Sequence, residues 1–156
     1  MKVNTIHPMF GLVRYESWKS VWAEKDEIDE LSYISSQCNP EDVLLSSRLF
    51  FPDFVVDGNG VFLESKYDSG VVRCWLDQFN GDLQATEKMI NHVHIYDVFE
   101  GCSEDVDNRV FEQLAEVMAF SWRLVLREKF SDKKFSVVVS NSDQDYGPVI
   151  TFFQIT

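Results

Sequence analysis

The chain has 156 residues, of which 26 are Asp or Glu and 14 are Lys or Arg, so its formal net charge at pH 7 is −12. A surface of that sign repels nucleic acid and anionic lipid, and it attracts basic proteins. Hydrophobic residues make up 45% of the chain, which is enough for a packed core. We therefore expect one globular domain over residues 1–156 and a basic protein as its partner, with neither nucleic acid nor a membrane as a ligand.

The cysteines and the N-terminal sequence indicate the cellular compartment of the protein. Cys38, Cys74 and Cys102 follow no spacing typical of a zinc site or a disulfide framework. Cys74 lies in an apolar run, where a free cysteine usually packs as a small buried side chain; a nucleophile with His92 or His94 as its base is the alternative. The first residues lack the apolar stretch of a signal peptide, and charges interrupt every long apolar run. We expect a cytoplasmic protein without a bound cofactor.

Helical patterns dominate the first third of the chain. Apolar residues recur at intervals of three and four from Glu16 to Gln37, which predicts a helix with a break near Lys25. Asn39 can cap a second helix, and the proline and two acidic residues that follow it suit a first helical turn. This helix is predicted over Pro40–Phe50, because Pro52 opposes its continuation.

A hairpin and two short helices are predicted in the middle of the chain. Two β-prone runs within residues 53–64 flank a Gly-Asn-Gly turn that can supply the positive φ of a tight hairpin. Helices are predicted over Val71–Phe79 and Asp82–Val93, since Gly81 can end the first and Asp82 can open the second.

The sequence of the last third of the chain predicts a long helix followed by a second hairpin. The helix is expected over Ser103–Phe130, capped by Ser103, and its nearly all-round apolar stretch from Val117 to Leu126 places it centrally, or in an oligomer contact. Two β-rich runs, Lys134–Ser140 and Val149–Ile155, form the hairpin. These elements predict an α+β fold in two layers, with a small, mainly antiparallel sheet of two hairpins packed against helices.

Two acidic runs, at residues 24–30 and 97–116, are the main candidates for a binding surface. A solvated face is the simpler interpretation of a single run, but two runs and the large charge surplus favour a partner. Two tryptophans one helical turn apart precede the first run, and large aromatic side chains anchor many interfaces, although core packing explains them equally well. The candidate partner-binding residues are Trp18, Trp22, Glu24, Asp26, Glu27, Asp29 and Glu30.

A metal or catalytic site is the alternative to a binding surface. His92 and His94 would share a face in an extended segment, and Asp97 could join them as a third ligand. Histidines hydrogen-bonded to main chain or to an acid are the simpler interpretation, because no third ligand follows at a diagnostic spacing. The motifs typical of serine hydrolases, dinucleotide-binding proteins and P-loop proteins do not occur in the sequence.

Two segments give the chain a general resemblance to small bacterial proteins of unassigned function: the run from Arg48 to Gly58, and Ile90–His94. In size, acidity and aromatic content the whole chain also resembles bacterial immunity proteins, which cover the basic active-site face of a cognate toxin. That resemblance implies an immunity or inhibitor protein. A small metal-dependent or hydrolytic enzyme using the region of His92 and His94, and a structural subunit of a homo-oligomer, remain the alternatives.

Overall fold

The computed structural model describes residue 1 and residues 3–102, 104–142 and 146–155, and these form an α+β fold. The helices are α1 (Val13–Ser20), α2 (Glu30–Gln37), α3 (Pro40–Phe50), α4 (Ser69–Gln78), α5 (Leu83–Ile90), α6 (Ile95–Val98) and α7 (Asn108–Lys129). The strands are β1 (Phe54–Asp57), β2 (Gly60–Leu63), β3 (Val93–His94), β4 (Phe135–Ser140) and β5 (Val149–Gln154). The predicted fold class, with antiparallel hairpins packed against helices and one long helix, is confirmed.

The predicted break in the first helical segment is confirmed. A 3-10 turn at Lys25–Glu27 separates α1 from α2, and α2 begins where Asp29 accepts a hydrogen bond from the Ser32 N–H at 2.9 Å. The helix α3 has the predicted bounds, with the Asn39 side chain accepting from the Glu41 N–H at 2.9 Å. Local capping therefore sets the starts of α2 and α3.

Within the described residues the strands form two antiparallel sheets rather than the single small sheet expected from the sequence. The strands β1 and β2 form one two-stranded sheet, whereas the second sheet has the order β3-β5-β4. The short strand β3 pairs His94 with Val149, so the helix predicted to reach Val93 ends at Ile90 instead.

Two side chains, Glu87 in α5 and Asn91 at its C-terminal end, lie between the sheets and bond to main-chain groups of both. The Leu63 N–H donates to Asn91 Oδ1 at 2.9 Å, and Asn91 Nδ2 donates to the carbonyls of Val61 at 3.0 Å and Phe152 at 3.2 Å. The fully buried Glu87 accepts from the N–H groups of Val61 and Gln154, at 2.8 and 2.6 Å. These side chains bond to strand groups that would otherwise be left without partners in the core, which is why β2 and β5 need not pair directly.

The helix α7 packs on β4 and β5 and contributes much of the main core, as predicted for a central helix. Its Trp122 is buried, and the indole N–H donates to the Leu49 carbonyl at 2.8 Å, which ties α3 to the core. The helix begins at Asn108 with Asp107 as its N-cap, later than predicted; the expected cap, Ser103, lies outside the described residues. Asp107 accepts from the Arg109 N–H at 2.9 Å, so capping here starts a shorter helix.

The N-terminal helices form an outer layer on this core. No described residue before Gly60 is buried, and the exposed fraction of Leu31 on α2 and of Leu44 on α3 is 72% each. Across the part of the chain that the structure covers, the helices are all too short or too polar to span a bilayer.

Candidate functional site

The two candidate tryptophans lie at the end of α1 and on the surface. Their rings meet edge to face, with centroids 5.7 Å apart. Trp18 is half-buried and contacts the Tyr33 ring of α2 at 5.2 Å between centroids, whereas Trp22 follows the helix and is 48% exposed. Core packing therefore accounts for neither residue: Trp18 joins α1 to α2, and Trp22 presents its indole to solvent.

Four of the candidate residues line one concave surface, which we name the tryptophan cleft. The cleft has a volume of about 430 Å³. It is lined by Trp18, Trp22, Ala23, Glu24, Glu27, Ile28, Ser32 and Ser36. Both glutamates are exposed, and neither has an ion-pair partner among the described residues. The cleft thus combines an exposed aromatic ring with negative charge that no described cation offsets.

The other three acidic candidates do not line the cleft. Asp29 is occupied as the cap of α2, and the Ser32 main-chain N–H that donates to it lowers the pKa of its carboxyl group. Asp26 is exposed in the 3-10 turn, and Glu30 lines a separate groove beside the start of α7. The acidic run is therefore divided between a cleft, a helix cap and a second cavity.

Sequence reasoning missed the α2 side of the cleft. Ser32 and Ser36 lie one helical turn apart on α2 and form its second wall. Nothing in the sequence marks these serines as part of a site, because small polar residues on a helix are common. Their role depends on the contact between Tyr33 and Trp18, which the sequence does not reveal.

The two histidines lie side by side, which the sequence left open, and within the described residues no third ligand joins them. The rings of His92 and His94 are in edge-to-face contact, with centroids 5.2 Å apart. His92 Nδ1 bonds to the Met89 carbonyl, so this nitrogen carries the proton. His94 Nδ1 is buried and finds no hydrogen-bond partner in the described part of the chain. Asp97 is exposed and lines a cavity with His94, and nowhere in the described ranges do three His, Cys, Asp or Glu side chains gather as a metal requires.

The expected burial of Cys74 is wrong. Its side chain is exposed on α4, and Cys38 and Cys102 are exposed as well. The apolar face of α4 is carried instead by Val72, which is buried against Phe62 and Ile90. The helical period therefore turns Cys74 away from the core that its neighbours suggested.

No protein-family model, no curated protein and no solved structure matches this chain.

Proposed function

We propose that this chain is an acidic protein-binding module that engages a basic partner protein through the tryptophan cleft. The observation that supports this most directly is the half-exposed Trp22 indole beside Glu24 and Glu27. Tryptophan is among the residues that most often dominate binding energy in interfaces. An exposed indole on a concave acidic surface has the chemistry to hold the apolar stem and the charged end of a lysine or arginine.

Charge and packing would act on different steps of binding. The net charge of −12 attracts a basic partner over the distance of about 8 Å set by screening at physiological salt, and so raises the association rate. Burial of the Trp22 ring then slows dissociation, because most differences in affinity between related complexes are differences in the dissociation rate. The partner is therefore expected to bind in a salt-dependent manner.

An immunity or inhibitor protein is the specific case that we favour. Such a protein needs a surface that complements a basic active-site face, and the tryptophan cleft has the required sign of charge. The chemistry of the histidine pair supports the enzyme alternative less well, because Asp97 does not complete a ligand set.

Selection from a displayed library of random peptides at low salt tests this proposal. We expect the selected peptides to be rich in Lys and Arg and to bind more weakly as salt rises. Trp22→Ala should weaken binding about thirtyfold, since a central aromatic anchor contributes about 2 kcal/mol. A result in which Trp22→Ala binds like the wild type, or in which basic residues are not enriched, would contradict the proposal.

A matched pair of variants separates local contacts from net charge. The double variant Glu24→Gln, Glu27→Gln and the control Glu128→Gln, Asp132→Asn remove the same charge, and all four side chains are exposed. If the cleft is the binding site, the first pair weakens binding much more than the second. Equal effects would show that only overall charge matters. Light scattering on the same samples distinguishes peptide binding from self-association.

A further inference from the structure

A second cavity lies between residues 9–12, which we call the N-terminal arm, and the starts of α1 and α7, with α2 as a further wall; we name it the arm groove. Its volume is about 350 Å³, which is within the range of side-chain and ligand pockets. Its apolar lining includes Met9, Leu12, Val13, Ile34, Val106 and Val110. Val13 at the beginning of α1 is 67% exposed, so the groove is open to solvent. The groove thus offers an apolar surface that the described part of the chain leaves uncovered.

The arm that forms one wall is held in place by specific contacts. The Gln113 side chain accepts from the Phe10 N–H at 2.6 Å and donates to the Phe10 carbonyl at 2.8 Å, so one amide holds both main-chain groups. Gly11 has a φ of +76°, and a Cβ there would lie 2.9 Å from Asp107 Cγ. Only glycine permits this close approach at a positive φ. The groove is therefore preformed, which lowers the entropy cost of filling it.

Both acidic runs of the sequence meet at the rim of this groove. Glu30 comes from the first run, and Glu104, Asp105 and Asp107 come from the second. Arg14 pairs with Glu104 at 3.4 Å and Arg109 with Asp107 at 2.6 Å.

The remaining rim charges have no such partners. Neither Glu30 nor Asp105 forms an ion pair within the described ranges. The open rim is thus negative while the floor is apolar. This combination complements a ligand that carries an apolar side chain between cationic ones.

We propose that the arm groove binds a basic amphipathic helix of the partner protein, whose apolar side chain enters the groove while its Lys or Arg residues face Glu30 and Asp105. This inference rests on the proposed function, to which it adds a second contact. Helices that dock in apolar grooves use anchors spaced by three or four residues, and the volume of the groove suits one or two such anchors. A second copy of this chain is a poor occupant, because its own charge of −12 would be repelled by the same rim.

A synthetic helix of repeating Lys and Leu, with Leu at positions i, i+3, i+4 and i+7, tests this inference. Its binding is followed by fluorescence anisotropy at low salt. Val13→Asp should weaken binding at least tenfold, although the added negative charge alone would strengthen attraction to the basic probe. Val71→Asp is the matched control, since Val71 is also an exposed valine in the first turn of a helix. Equal binding by the two variants would overturn the inference.

Amide and indole NMR signals distinguish the arm groove from the tryptophan cleft. Binding in the groove shifts the amide signals of Val106 and Val110 in the wild type, and at the same probe concentration it shifts them much less in Val13→Asp. If the probe shifts only the Trp22 indole signal, the groove inference is overturned while the proposed function stands. If neither region shifts, both fail. A probe of equal charge with its leucines replaced by serine should not bind the groove, and equal binding by that probe would also overturn the inference.

Discussion

Replacement of Asn91 by alanine tests whether one buried amide joins the two sheets. The side chain makes three hydrogen bonds to main-chain groups, those of Val61, Leu63 and Phe152. Each buried main-chain group left without a partner costs about 1–3 kcal/mol. Asn91→Ala should therefore lower the free energy of unfolding by at least about 3 kcal/mol, and by less than the full sum if water enters the small cavity.

Urea unfolding followed by far-UV circular dichroism measures this loss. A change of about 3 kcal/mol corresponds to a decrease of roughly 6–12 °C in Tm for a chain of this size. Asn141→Ala is the control, because Asn141 is exposed and bonds only to the Glu112 side chain, at 2.8 Å, among the contacts that the structure describes. We expect the control to lose less than about 0.5 kcal/mol.

The reasoning fails if Asn91→Ala costs less than about 1 kcal/mol, since that is the lower bound for even one unsatisfied buried group. Amide hydrogen exchange gives a second, local measurement. The Leu63 N–H donates to Asn91 and should exchange faster in the variant, relative to amides of the β4–β5 hairpin. Unchanged protection of Leu63 would show that another group accepts its hydrogen bond.

Two further predictions concern a tight contact and a pH dependence. Both Gly147→Ala and Gly81→Ala place a Cβ at positive φ, but the Cβ at Gly147 would lie 2.6 Å from the Tyr96 ring, whereas the one at Gly81 would meet no described atom within 4 Å. Thermal unfolding should therefore show that Gly147→Ala is less stable than Gly81→Ala by at least about 1 kcal/mol. Equal stabilities would contradict that contact. Hydrogen bonds from Arg109 lower the pKa of Asp107 from 3.8 to about 2. The resulting stabilisation is complete above the pKa that Asp107 has in the unfolded chain, and it is lost as pH falls toward 2. In acid titrations, stability should therefore decline less steeply in Asp107→Asn than in the wild type. An unchanged slope would contradict the lowered pKa of Asp107.

Elements set by local chemistry could be predicted closely from the sequence. The helix α3 has the predicted bounds because its signals, the Asn39 cap, Pro40 in the first turn and Pro52 beyond the end, all act within one or two turns. The first hairpin follows its Gly-Asn-Gly turn for the same reason. At the start of α7 the sequence offers two residues that can cap a helix, Ser103 and Asp107. The helix begins after Asp107, and the sequence alone did not favour Asp107 over Ser103.

Features that depend on distant residues could not be predicted in the same way. The separation of the two sheets depends on Glu87 and Asn91, which read in the sequence as ordinary polar positions of a short helix. Trp18, Trp22 and Glu24 are neighbours in the sequence, so that part of the tryptophan cleft could be predicted, although Trp22 and Glu24 lie beyond the end of α1. The convergence of both acidic runs at the arm groove could not be predicted, because the Gln113 contact that holds the N-terminal arm joins residues far apart in the sequence.

The outer position of α1 and α2 has a thermodynamic consequence. Because neither helix contributes a buried residue, opening this layer exposes little new apolar surface and costs far less free energy than global unfolding. Amide protons of these helices should therefore exchange by local opening at rates that denaturant barely changes, whereas those of α7 exchange through complete unfolding. A ligand that binds only the closed layer would slow the exchange of the first class of protons, and because it does not bind the unfolded chain it would also raise Tm as its concentration rises.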